Sequence, residues 1–145
     1  MDADRREKRR QITRVVMAVA MMAVGVLHFV LPAGFVRIVP RALPDPLLLV
    51  QVSGFFEVLG GAGLLVPRVR RAAGLGLVAL YVCVFPANIS MAMHPELGGS
   101  IPLWALWLRL PFQVVFIAVA LWISKPAASN DRKGRIPTGA RSEIA

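Results

Sequence analysis

Glu57 stands in the stretch "SGFFEVLGG", near the middle of an apolar run from Leu47 to Val66. A carboxylate at that depth costs on the order of 2–3 kcal/mol to place in a bilayer, so something must offset the cost or the residue must do something. The same run holds Gln51, and comparable apolar runs hold His28, Asn88, Arg109 and Gln113. Histidine and arginine hydrogen-bond carbonyl oxygens, and a glutamate beside them exchanges protons. Arg109 is the only cation well inside such a run. The expected arrangement is an ion pair between Glu57 and Arg109, helped by Gln113 or Asn88. Such a pair either serves chemistry or locks two helices together, and the sequence leaves both readings open.

Other chemistries find little support. Cys83 is the single cysteine and no CxxC occurs, which excludes dithiol redox chemistry for this chain alone. It reads as a small buried apolar residue. His28 falls near one membrane surface, while His94 follows the third apolar run and precedes Pro95. The two are poorly placed as opposed haem ligands, and no metal-ligand spacing is present. No metal site and no cofactor motif are evident.

These residues need helices to hold them. Four apolar runs, about Ile12–Leu31, Leu47–Val66, Ala72–Met93 and Leu103–Ile123, are long enough to cross a bilayer. Pro32, Pro67, Pro95 and Pro126 follow their ends, where helices stop, and Pro102 opens the last run. The chain has 145 residues, 57% hydrophobic and 17% charged, with mean hydropathy +0.64, too apolar for an ordinary soluble domain. The expected fold is all-α: a four-helix integral membrane bundle over residues 12–123, with a basic tail at 1–11 and a polar, disordered tail at 124–145. The first run is longer than the apolar part of a cleaved signal peptide, so an uncleaved helix is expected.

The net charge of +9 could suggest nucleic acid, but the bases lie in flanks and short loops with few aromatics among them. They read instead as topology signals and contacts to anionic lipid headgroups. Fourteen of the 17 Lys and Arg fall on one side, in the N-terminal stretch through Arg14, in "PRVRR" and after the last run. Only Arg37 and Arg41 fall on the other. The positive-inside rule then puts both termini in the cytoplasm, N-in and C-in.

Depth and face place the polar residues together. At about 1.5 Å per residue, His28, Gln51, Asn88 and Arg109 fall in the outer half, and Glu57 and Gln113 near the midplane. Arg14 is the exception and can snorkel at the inner edge. Ser53, Gly54, Glu57, Gly60 and Gly61 share one stripe, whose small residues let a neighbouring backbone approach. Pro86 should kink the third helix near Asn88. Trp104, Trp107 and Trp122 read as interfacial anchors. In "PAGFVRIVPRALPDP", Phe35, Ile38 and Val39 can dip into the interface while Arg37 and Arg41 reach headgroups.

Read in order, "GVLHFVLPAGFVRIVPRALPDP", "SGFFEVLGGAGLLVPRVRRAAGLGL", "VFPANISMAMH" and "LWLRLPFQ" resemble the DoxX-like family of small four-helix membrane proteins. The resemblance runs from about Gly25 to Trp122 and is carried by His28, Phe29, Pro32, Pro40, Pro44, Gly54, Glu57, Gly60, Gly61, Pro86, Asn88, Arg109, Pro111 and Gln113. That family is named after a membrane subunit of an archaeal quinone-linked oxidoreductase. The resemblance implies an accessory or scaffold subunit of an inner-membrane redox complex. A quinone head would sit among His28, Glu57, Asn88 and Arg109, and a partner protein would carry electrons. On this reading the chain is not an enzyme on its own. The alternatives are a small proton-coupled transporter built around Glu57, and a purely structural or assembly protein. The orientation is testable by fusion: alkaline phosphatase joined behind Arg41 should be active, and joined behind Lys125 inactive. The opposite pattern would invert the bundle.

Overall fold

A computed structural model describes residues 2–99 and 101–125. The tail expected at 124–145 lies outside the described residues from 126 onward. The first helix, α1 (Asp2–Val30), is 29 residues long. It begins ten residues before the expected span, because "DADRREKRRQ" is made almost wholly of good helix formers and has neither Gly nor Pro. Glu7 and Arg10, one turn apart, pair at 3.6 Å on this extension. A short helix, α2 (Pro32–Val36), follows at once, with proline in its first turn.

α3 (Pro46–Leu65) is started by Asp45, whose side chain accepts from the Leu48 amide at 3.2 Å. Asp45 holds φ 42, a left-handed conformation that Asp tolerates better than most residues. α4 (Arg70–Met93) contains Pro86 and runs into a 3-10 turn at Pro95–Gly98. α5 (Leu103–Ser124) contains Pro111. No strand occurs among the described residues. Four of these helices, α1, α3, α4 and α5, are long and apolar enough to cross a membrane, and the fold is an all-α, multi-pass four-helix bundle.

The long helices alternate in direction and form a ring in the order α1, α3, α4, α5, with α5 returning to α1. Both α1 and α5 therefore have their basic ends beside the α3–α4 connection, and α2 lies at the opposite end. Small residues set the spacing. A methyl added at Gly54 would stand 2.6 Å from His28 Cβ and 2.8 Å from the Gly25 carbonyl oxygen. One added at Gly61 would meet the Ala18 carbonyl oxygen at 2.8 Å. α1 and α3 thus touch backbone to backbone at two levels, seven residues apart on each helix. Gly60 faces the other way and admits Leu77 of α4.

The half nearer the basic end is filled by Met17, Ala18, Met21, Leu64, Leu77, Tyr81, Ala120 and Ile123, contributed by all four long helices. Large apolar side chains such as Val19, Phe55, Phe56, Val82 and Val115 point outward, as lipid-facing residues must. Cys83 is exposed on this outer surface, not buried as the sequence reading expected, since the inward face of α4 passes through Leu77, Tyr81 and Asn88.

Arg14 also departs from expectation. It does not snorkel outward; it is 5% exposed and its Nε donates to the Ile123 carbonyl at 3.2 Å. Arg70 does the same for α3, donating to Leu64 at 3.1 Å. Each guanidinium satisfies a last-turn carbonyl that no helical amide can reach, at the negative end of a helix dipole. Gly54→Ala and Gly61→Ala should each cost about 1–3 kcal/mol, because backbone must move to admit the methyl. Gly76→Ala, which meets nothing within 4 Å, should cost nothing. Thermal unfolding in detergent checks the contrast.

Candidate functional site

The approach of α1 to α3 at Gly25 and Gly54 presses the base of His28 onto α3, one turn from Glu57. His28 Nδ1 lies 2.8 Å from the Val24 carbonyl oxygen and 3.4 Å from Glu57 Oε2. A carbonyl can only accept, so Nδ1 carries the proton and donates to Val24. Glu57 Oε2 receives no hydrogen bond. Both side chains are nearly buried, at 9% and 12% exposed. Over the imidazole lies Phe35 of α2, stacked at a centroid distance of 3.9 Å and an interplanar angle of 21°. The expected dip of Phe35 toward the interface therefore ends on His28.

The predicted ion pair between Glu57 and Arg109 is not formed. The reason is the order of the ring: α3 and α5 are diagonal, whereas α1 is the neighbour of α3. Depth along a helix cannot reveal that order. The Arg109 side chain is exposed instead and lines a cleft of about 240 Å³ at the α2 end. Gly34, Phe35, Arg37, Ile38, Met91 and Ile101 complete the lining. Phe35 is thus the partition between the buried His28–Glu57 pair and the open cleft.

Asn88 and Gln113 form a separate unit. Asn88 Nδ2 donates to Gln113 Oε1 at 2.6 Å, and Gln113 Nε2 donates to the Tyr81 carbonyl. Pro86 has no amide hydrogen to offer the Val82 carbonyl, one residue beyond Tyr81. The Gln113 amide therefore spans the weakened part of α4 and ties both sides of the proline to α5. Tyr81 Oη in turn donates to Met21 Sδ at 2.7 Å. Gln51 belongs to neither group. It is exposed, because Val50 and Gly54 take the inward positions beside it. His94 is also exposed, with Nδ1 3.3 Å from Glu96 Oε1.

Sequence reasoning missed Phe35 as the cover of His28, and it missed Arg14 and Arg70 as helix caps. A signal was present for Arg70, which follows Leu64 by six residues across the α3–α4 connection; for Arg14, whose acceptor is 109 residues away, there was none.

Of the residues expected around a quinone head, only Arg109 lines this cleft, where it and Arg37 can each donate to an oxygen; His28 is covered by the Phe35 ring.

Residues 17–124, from the first turns of the apolar part of α1 to the last residue of α5, match the family described as a domain of unknown function, DUF8561, and the chain belongs to it. No curated protein and no solved structure matches the chain.

Removing the central amide tests the α4–α5 unit. Gln113→Leu leaves the Asn88 amide without its acceptor and should cost about 1–2 kcal/mol. Gln51→Leu should leave the unfolding temperature unchanged.

Proposed function

We propose, for this member of the DUF8561 family, that the protein is a DoxX-like accessory or scaffold subunit of a complex in a bacterial cytoplasmic membrane, its basic end inside. One observation carries this reading: the site is one-sided. Side chains from all four long helices close the basic half with apolar packing, while Arg37 and Arg109 line a cleft at the α2 end. A carrier must expose its site to each side in turn, through elements that rock or unwind around it. Here the helices below the site are packed with glycine-limited backbone contacts, which suits holding something in place. The same packing weighs against a small proton-coupled transporter.

The sequence carries a single cysteine and no CxxC, so this chain alone has no dithiol couple. A redox role would therefore belong to the partner, with this bundle anchoring it or presenting a lipid-soluble ligand to it. The DoxX-like resemblance makes a membrane-bound oxidoreductase the first partner to look for. Isolation of the tagged protein from native membranes in mild detergent should yield a partner at fixed stoichiometry by mass spectrometry. Glu57→Gln should keep that partner, since the carboxylate is nearly buried beside His28. A chain that comes out alone, and that moves a cation against a proton gradient in liposomes in a Glu57-dependent way, would sink the reading.

A further inference from the structure

The cleft at the α2 end joins two guanidiniums to an apolar wall. Arg109 enters from α5, six residues past Leu103 and so about 9 Å along the helix from its start. Arg37 enters from the segment after α2, where one Nη2–H donates to the Glu96 carbonyl at 3.4 Å. Its Nη1 lies over Gly99, 3.7 Å from where a Cβ would stand. The nearby Glu96 carboxylate is turned to His94 instead. Among the described residues no carboxylate stands within ion-pair distance of either arginine in the cleft.

A guanidinium below the membrane surface without a counter-charge is costly, and its planar set of five N–H donors matches an oxyanion better than any neutral group. Ile38, Met91 and Ile101 supply apolar surface beside the two cations. The required ligand is therefore charged at one end and apolar next to it.

We propose that this cleft binds the head of an anionic lipid from the surrounding leaflet. A phosphate is held between Arg37 and Arg109, and the first methylenes lie against Ile38, Met91 and Ile101. The proposal goes beyond the subunit reading and does not rest on it: a partner can be absent while the lipid binds, and the reverse.

The test is native mass spectrometry of the full chain, delipidated in detergent and titrated with phosphatidylglycerol, phosphatidylcholine or inorganic phosphate. Phosphatidylglycerol should bind about tenfold more tightly than phosphatidylcholine, and Arg37→Gln/Arg109→Gln should lose about that factor. Arg5→Gln/Arg6→Gln removes the same charge from the basic end and should change binding less than about twofold. Arg37→Gln alone, in an exposed segment, should give a partial loss and serves if the double variant does not fold. Equal binding of the two lipids, or equal loss in the basic-end control, would overturn the proposal. Displacement of the lipid by equimolar inorganic phosphate would make the ligand a free anion, and tighter binding of a neutral quinone analogue would replace the ligand class altogether.

Discussion

The contact of α1 with α3 at Gly25 and Gly54 is the constraint from which the α2 end is built. With hydrogen in place of a side chain on both helices, the two backbones come within reach of each other's carbonyls. His28, one turn beyond Gly25, then has nowhere to stand except against α3, and Glu57 lies on the same face. The chain must turn immediately after α1, and the turn lays Phe35 over the imidazole. The cleft exists because α2 is held there. Wider spacing between α1 and α3 would separate the histidine from the carboxylate and release the cover.

Lipid tails are as apolar as the bundle interior, so removal of apolar surface from water does little to hold these helices to one another. The structure uses other means at each level. Close backbone contact joins α1 to α3, and Gly60 receiving Leu77 joins α3 to α4. The Asn88–Gln113–Tyr81 chain joins α4 to α5 across a proline. Arg14 reaching Ile123 joins α5 back to α1. Every side of the ring therefore has a specific link, and three of the four depend on a glycine or a long polar side chain at one position.

Much of this was legible in the sequence, and what was not has a common cause. The four spans follow from apolar length and from the prolines that end them. The stripe of small residues in α3 is visible as spacing alone. Asn88 and Gln113 could be listed as inward-facing from their depth and face, although nothing in one dimension says that they meet each other. The pairing of Glu57 with Arg109 failed because it assumed that α3 and α5 are neighbours, and ring order is not written along the chain. Gln51 was misplaced by a single step of the helix, since Val50 holds the inward position. Arg14 was read as a surface group because its acceptor belongs to a helix far away in sequence. The basic tail could be read as an extension of the first helix, and α1 does begin at Asp2; its charge says where the membrane stops and not where the helix stops.

The Arg14–Ile123 bond has a meaning for biogenesis. The two residues are 109 positions apart, and a chain grows from its N-terminus. The guanidinium is made long before the carbonyl it will bond, and on its own helix it stands 3.8 Å from Glu7. The ring is open for that whole interval. Its closure is the arrival of the last helix, read out by a residue of the first, so the bundle carries within itself a mark of whether its synthesis has been completed as far as α5.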